Sequence, residues 1–458
     1  VDHSPEGALS MSSSSSTPRR APLGSAYRRV LGASVVSNLG DGVGAVAYPW
    51  LAAAVTRNPI LVALVAVCGR LPWLVFTLPA GVLTDRLDRR RAIVTMDIAR
   101  AVITAVVALL VLVRQDALPS PTAVDALVDT DWLLYSALLV ATLALGAAEV
   151  LRDNSAQTIL PAIVPADQLE RANGRMWSAE GVANTFVGPP LGSLLLAVAF
   201  ALPFVVDAAT FAAAAALVAT IPGSFRATQP PDGSPQSWRA ELGAGVRWLW
   251  GHDLLRPMAI VLGVMNAASM VTGAVFVLFA QEVLGIGATL FAVVGMGGAL
   301  GGIVGGGVAS TLSRRLGSGT CLGITLWGGA IIDVAMALTS RWPVAFVLFG
   351  LTTLVGILWN VITVSLRQTI IPEHLLGRVN SVYRFFAWGM MPIGAALGGL
   401  VVVAVDAVAS REWALRATWL VSAVIHLGLW LVARGRLSTD RIEAARAAGP
   451  DGRGTVGA

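Results

Sequence analysis

The hydrophobic positions of this chain fall in long unbroken blocks. They show neither the strict alternation of half-buried strands nor the one-sided stripe of soluble helices. Twelve blocks approach the roughly 20 residues that an α-helix needs to cross a bilayer. The first six are Arg29–Val55, Pro59–Leu83, Ala92–Val113, Trp132–Leu151, Gly174–Phe200 and Pro203–Ile221. The second six are Leu255–Gln281, Ile286–Leu312, Thr320–Thr339, Val344–Leu366, Val379–Val405 and Trp413–Ala433. Continuous blocks favour helices over a barrel, whose strands would alternate. The expected fold is an all-α membrane protein of twelve transmembrane helices.

Polar segments divide the blocks into two sets of six. Pro222–Pro235 is a linker rich in proline, glycine and serine, and Ser237–Trp250 reads as an amphipathic helix lying on the membrane surface. The expected organisation is a tail over 1–26, a six-helix lobe over 27–222, a linker over 223–253, a second lobe over 254–434 and a tail over 435–458. The polar N-terminal stretch is no cleaved signal peptide, and Met11 offers an alternative start to Val1.

Composition strengthens this picture. Only 13% of residues are charged and 55% are hydrophobic, too little polar surface for a soluble body of 458 residues. All 32 basic residues are arginines, which with the abundant alanine and glycine suggests a GC-rich bacterial genome. The excess charge of +5 does not point to nucleic acid, because the arginines are spread loop by loop. Alternate loops hold 25 arginines; the other set holds only Arg57, Arg114, Arg341, Arg411 and Arg416, with Arg70 and Arg100 inside spans. The positive-inside rule then puts both termini and the arginine-rich loops in the cytoplasm, and implies a multi-pass protein of the bacterial inner membrane. Trp132, Trp342 and Trp413 each open a span from the outer side, as an interfacial aromatic belt would.

Metal, redox and nucleotide chemistry find no support. Cys68 and Cys321 lie in spans of different halves, and His3, His252, His374 and His426 share no metal-ligand spacing. Without lysine, no phosphate-binding loop of the Gly-x-x-x-x-Gly-Lys type exists. No cofactor is expected, and no soluble segment is long enough for a separate catalytic site.

The halves repeat. Gln157-Thr158-Ile159-Leu160-Pro161 returns as Gln368-Thr369-Ile370-Ile371-Pro372, Arg171-Ala172-Asn173 as Arg378-Val379-Asn380, and Gly188-Pro189-Pro190-Leu191-Gly192 as Gly394-Ala395-Ala396-Leu397-Gly398. Three matches in one order superpose spans four to six on ten to twelve, as parallel six-helix repeats require. The turn after the second span reads Gly81-Val82-Leu83-Thr84-Asp85-Arg86-Leu87-Asp88-Arg89-Arg90-Arg91. Gly307–Gly317 occupies the matching place in the second half, with Arg314 and Arg315 kept but Thr311 where the acid would stand.

The turn and the repeats resemble the major facilitator superfamily over about residues 27–434. Gln157–Asn173, Gly188–Gly192 and the run from Trp359 to Asn380 narrow the likeness to a bacterial exporter branch that includes enterobactin exporters and macrolide-efflux proteins. The resemblance implies two pseudo-symmetric lobes that rock about a central substrate. It implies a gating role for Gly81, Asp85, Arg86, Arg89, Arg90 and Arg91, with Asp85 facing the start of the eleventh span near Arg378–Ser381 when the inner side is closed. The competing reading is that these arginines only fix topology. Gly188, Pro189 and Gly192 resemble an antiporter element of the fifth span, against the plainer reading of a packing kink. The cavity is expected between the first, fourth, seventh and tenth spans, with Trp50, Asn266, Trp359 and Asn360 as candidate lining.

Charges inside spans are costly and usually functional. Asp41 and Arg70 both fall near the midplane and are expected to pair, as proton carrier or as structural ion pair. Asp97 and Arg100, three apart on one helix, with Glu149 and Arg152 on the fourth span, form an expected inner charge cluster, in which Asp97 and Glu149 are candidate partners for the loop arginines. Glu180, Asp207 and Asp333 complete the proton-coupling candidates. Gly295, Gly298, Gly302 and Gly306 form an expected close-packing stripe on the eighth span. The functional expectation is proton-driven export of a small amphipathic molecule (a drug, siderophore or secondary metabolite) by a monomer in the lipid bilayer. An importer of the same fold, or a polytopic receptor or assembly protein that moves nothing, is the alternative.

Overall fold

The computed structural model describes residues 23–118, 129–165, 168–226 and 238–449; the side chains of 77–86, 117, 170, 238–242, 373, 374 and 377 are not among those described. Twelve helices are long and apolar enough to cross a membrane. In order they are Gly24–Val55, Pro59–Arg86, Arg89–Val113, Trp132–Ile163, Arg171–Val198, Leu202–Ala219, Leu255–Glu282, Ala288–Leu316, Ser318–Leu338, Trp342–Ile370, Arg378–Asp406 and Arg411–Ala433. They are called spans one to twelve below.

Several ends differ from the sequence-based expectation. Span four runs to Ile163 and not to Leu151, because Arg152 and Asp153 remain in the helix, where Arg152 pairs with Asp153 and with Asp97 of span three. Span eight is helical through Leu316, so Gly307–Leu316 is helix and not a loop; it stops at Gly317, whose φ of 85° suits glycine. The expected C-terminal tail contains a helix, Thr439–Ala448, capped by Ser438 and anchored by the fully buried Ile442. The linker helix, Trp238–Trp250, does not simply lie along the membrane surface. It buries Leu249 and sets Gly245 against the backbone of Arg378, at the start of span eleven.

Helix crossings within each lobe rest on glycine. A side chain at Gly188 or Gly192 of span five would strike the backbone of Gly42 or Val43 in span one. At Gly394 or Gly398 of span eleven it would strike the backbone of Ala267 or Val271 in span seven. The sequence repeat thus corresponds to a repeated crossing, in which missing side chains let two backbones meet. Spans five and eleven also break at related points. Span five has a wide π-helical turn at Val182–Val187 just before Pro189 and Pro190, and span eleven is interrupted at Met390 just before Pro392.

The stripe expected on span eight is shifted. Span eight meets span ten through Gly297, Gly301 and Gly305, where an added Cβ would face the carbonyl oxygens of Phe346, Gly350 and Leu354 at 2.2, 1.9 and 3.1 Å. Gly295 and Gly306 have open space and Gly298 and Gly302 only side-chain neighbours. This helix carries two overlapping four-residue glycine repeats, and periodicity alone does not say which faces the partner.

The buried core has three parts. One, toward the end where spans one and seven finish, is shared by both lobes: Leu51, Leu138 and Phe204 join Phe276, Leu415 and Trp419. The other two lie toward the end carrying the Asp88 turn and belong to one lobe each. Tyr27, Ile93, Ile159 and Val218 form one, and Met258, Leu322, Trp359 and Tyr383 the other. The shared end is also closed by polar contacts. Arg57 hydrogen-bonds Gln281 of the second lobe, and Arg411 pairs with Glu282 at 2.9 Å and reaches the Arg57 carbonyl at 2.9 Å. At mid-depth the lobes meet where Trp73 of span two stacks on Trp388 of span eleven, 5.2 Å between ring centres. The molecule is therefore closed at one end, while at the other the apolar cores of the described residues are separate for each lobe.

Gly301→Val is expected to cost about 3 kcal/mol or more by forcing spans eight and ten apart. Gly306→Val, with nothing within 4 Å of its Cβ, should melt like the parent. Thermal unfolding of both variants in detergent provides the comparison.

Candidate functional site

The residue-rich centre of the first lobe is built on spans one, three, four and six. Span one supplies Ser37, Gly40 and Asp41, and the lack of a side chain at Gly40 lets Asp207 and Thr210 of span six come against it. Span three supplies Arg100, nearly sealed from solvent, with its guanidinium 3.8 Å from the ring centre of Phe211. Arg100 hydrogen-bonds Ser37 at 3.1 Å, ion-pairs with Asp41, and lies 3.7 Å from Asp97. Asp97, fully buried, is 3.4 Å from Arg152 of span four, which also holds Asp153 at 3.2 Å. The result is a chain of alternating charge, Asp41–Arg100–Asp97–Arg152–Asp153, threading three helices.

This corrects the expected pairing. Asp41 meets Arg100 and not Arg70, whose guanidinium lies over Trp388, 5.7 Å from the ring centre. Arg100 and Asp41 were placed on nonadjacent spans, and helix order in a bundle is not sequence order. The expected inner cluster of Asp97, Arg100 and Arg152 is assembled, and Glu149 stands within the fields of Asp41, Asp153, Arg100 and Arg70. Asp97 and Glu149 are not partnered by the loop arginines among the described residues. Arg90 donates instead to the Ile221 carbonyl, and the Arg89 N–H to the Phe225 carbonyl at 3.2 Å. Those loop arginines staple the start of span three to the end of span six.

The loop acid that does have a described role is Asp88, which the sequence reading passed over. Its carboxylate accepts from the Arg91 N–H at 3.0 Å, the Ser224 hydroxyl at 2.7 Å and the Phe225 N–H at 2.9 Å, capping span three. Burial alone would raise its pKa, but these three bonds and the nearby Arg90 outweigh burial and hold it below the ordinary carboxylate value. Gly81, Asp85 and Arg86 lie on the last turns of the span-two helix, and their side chains, with the expected contact to Arg378–Ser381, fall outside the described residues.

Other candidates divide. Glu180 accepts a hydrogen bond from Ser34, tying span five to span one. Asp207 is buried and one of its oxygens has no hydrogen-bond partner among the described residues. Gly188 and Gly192 serve the helix crossing described above, as Pro189 serves the bend. Of the four proposed cavity groups, the two tryptophans lie in the core, while Asn266 is half-buried and Asn360 exposed. Trp50 packs edge-on against Phe291 within the shared core, Trp359 is enclosed in the second lobe, Asn266 donates to the Ala387 carbonyl at 2.8 Å, and Asn360 donates back to Gly356 of its own helix. Apolar periodicity marks aromatic groups as buried but not whether core or cavity surrounds them.

Two cavities among the described residues bear on function. A groove of about 740 Å³ between spans one and five is lined by Val35, Leu39, Ser178 and Val187, with Arg171 and Arg175 at its terminal end. A second, of about 340 Å³, lies inside the other lobe among spans seven, nine, ten and twelve. Into it face Asp333, Ser422 and His426. His426 was set aside for lack of metal spacing; its partner stands 93 residues away, beyond the reach of local pattern.

Removing Arg152 should leave Asp97 as a buried carboxyl short of a cation. Arg152→Ala is expected to destabilise by about 3–5 kcal/mol, and Asp97→Asn added to it should restore much of that loss. A double-mutant cycle on thermal stability reads the coupling. Asp88→Ala should cost about 1 kcal/mol near neutral pH. Because the folded pKa of Asp88 is depressed, its contribution is present above the ordinary carboxylate pKa and fades as pH falls through the lower folded value, so parent and variant should converge in acid.

The sequence and fold have known counterparts. The multidrug efflux pump Tap of Mycolicibacterium fortuitum is 27% identical over 389 residues, covering 81% of this chain and 87% of that protein. The enterobactin exporter EntS of Shigella boydii serotype 4 is 24% identical over 428 residues, 92% of this chain and 95% of that one. A bacterial homologue of the iron transporter ferroportin, 16% identical, superposes with a TM-score of 0.63 in its inward-facing state and 0.53 in its outward-facing state, each covering 88% of this chain and 98% of the other. The sequence pattern of the Major Facilitator Superfamily spans residues 30–396. With twelve spans in two lobes, and relatives that are membrane exporters and not enzymes, the chain is a multi-pass transporter belonging to the Major Facilitator Superfamily.

Proposed function

We propose that this protein is a proton-coupled exporter of small amphipathic molecules in a bacterial inner membrane, with both termini in the cytoplasm. The arginine bias supports that orientation. It puts the end closed by the shared core on the external side and the end with a separate core for each lobe on the cytoplasmic side. The export direction draws on Tap and EntS, an efflux pump and an exporter. The protein works as a monomer in the bilayer, needs no bound cofactor, and draws on the proton motive force.

The observation that carries the coupling is the charge chain of the first lobe. Arg100 is buried while the Asp41 side chain keeps 24% exposure, so this acid is the less enclosed member of the pair. Arg100 faces Asp41 and Asp97, and Asp207 lies close by in the same field; Arg152 is shared between Asp97 and Asp153. With carboxyls outnumbering guanidiniums in a low-dielectric interior, uptake of a proton lowers the charging cost. Protonating Asp41 weakens its hold on Arg100 and frees span one from span three. Span one carries Trp50 and leads into Arg57, both in the external closure, so this release acts on the gate. Proton entry from outside would then alternate with cargo entry through the cytoplasmic groove.

Asp41→Asn should reduce efflux driven by a pH gradient at least about tenfold, in proteoliposomes loaded with ethidium, without loss of folded protein. Gradient-driven efflux at the parental rate in this variant would refute proton coupling through Asp41.

A further inference from the structure

The cavity inside the second lobe has a chemistry that the coupling chain does not use. Asp333 of span nine accepts from the Ser422 hydroxyl at 2.7 Å and from His426 Nδ1 at 2.9 Å, all on one oxygen. His426 Nδ1 also lies 3.1 Å from the Ser422 carbonyl. With acceptors on both sides, Nδ1 must carry the hydrogen, which leaves Nε2 to take or release a proton. The opposite wall is aromatic. Phe276 stacks on Phe349 at 5.2 Å and meets Trp419 edge-on at 6.1 Å. The aromatic wall is where span seven breaks between Gly273 and Phe276.

Among the described residues, no other charge balances the dyad. Arg416, on the same helix as His426, is spent on Glu412, Ser340 and the carbonyls of Ala337 and Thr339 at the external end. Asp406 of span eleven pairs with Arg411, and Glu282 at the end of span seven does too. Arg314 and Arg315 of span eight and Glu443 and Arg446 of the C-terminal helix sit at the cytoplasmic end, with Glu443 and Arg446 turned to each other and to Ser318. Spans seven and ten present Met265, Ser269, Thr352 and Gly356, none of them titratable. A carboxylate beside a neutral imidazole in an apolar box requires one positive charge. That charge is a proton on His426 or a cation brought by a ligand, and the aromatic faces favour a ligand that is itself a flat or aryl cation.

We propose that this cavity is a binding site for an aromatic organic cation, held by Asp333 and the rings of Phe276, Phe349 and Trp419, for which a proton on His426 competes. The proposal rests on the exporter reading for its biological sense, and gives the cargo a charge class. Its volume of about 340 Å³ suits the charged, ring-bearing part of a small molecule. Exchange of cargo for proton at one point would make the second lobe a sensor of cargo, separate from the chain that senses protons in the first.

Equilibrium binding of tetraphenylphosphonium to the full-length protein in detergent tests this without transport. Its charge is permanent, so acid acts only on the protein. Affinity should fall by at least about tenfold between about pH 8 and about pH 5.5. His426→Gln should keep the affinity seen at the alkaline end and lose the acid sensitivity. Asp333→Asn should weaken binding at least about tenfold. Gly356→Leu, at a position with nothing within 4 Å of its Cβ, should fill the cavity and weaken binding similarly while leaving the melting temperature alone. It decides the matter if Asp333→Asn does not fold. The readout is binding alone, so failure here is separate from failure of proton coupling, which gradient-driven efflux by Asp41→Asn tests. No binding by the parent, parental affinity in Asp333→Asn or Gly356→Leu, or intact acid sensitivity in His426→Gln would overturn the proposal.

Discussion

A guanidinium cannot be neutralised by losing its proton, and Arg100 is buried in the middle of the first lobe. Everything around it follows from that constraint. Carboxyls come to it from spans one and three, the Ser37 hydroxyl takes one of its donors, and Phe211 covers its face. The small residues of span one are placed where they allow this, since a side chain at Gly40 would collide with Asp207 and Thr210. The ion pair is uneven: Arg100 is nearly sealed, while Asp41 balances it and keeps 24% exposure.

The two ends of the molecule differ in how they are held. The end where spans one and seven finish has a common apolar core overlaid by Arg57, Gln281, Glu282 and Arg411. The end carrying the Asp88 turn has separate cores, one in each lobe. Parting the lobes there leaves neither of those cores half-formed. The C-terminal helix and the linker helix both add to the second lobe's own core at that end.

Spans, halves and family were legible in the sequence because each rests on a property of contiguous residues. Bilayer length, arginine bias and the Gly188–Gly192 repeat need no knowledge of which helices touch. Pairings between helices were not legible. Asp41 with Arg100, and Asp333 with His426, depend on helix order in the bundle, and residues 59 and 93 positions apart leave no local signal. The span-eight glycines failed for a related reason: two registers fit the same pattern, and only contact with span ten chose between them. His252 is a milder case. It caps span seven by accepting from the Leu254 and Leu255 N–H groups at 3.2 Å, and burial lowers its pKa in keeping with an unprotonated acceptor.

The paired glycine crossings have a mechanical consequence. Where Gly188 and Gly192 ride on span one, and Gly394 and Gly398 on span seven, backbone touches backbone with no flexible side chain between. Such joints do not slip or turn about the helix axis without a clash. Each lobe then behaves as a stiff plate with its bolts at matching places. Movement is left to the seam between plates, where Trp73 and Trp388 offer a flat, slippery bearing. A small tilt there is levered over the full length of the helices, so the seam can move far while the glycine crossings inside each half stay as they are.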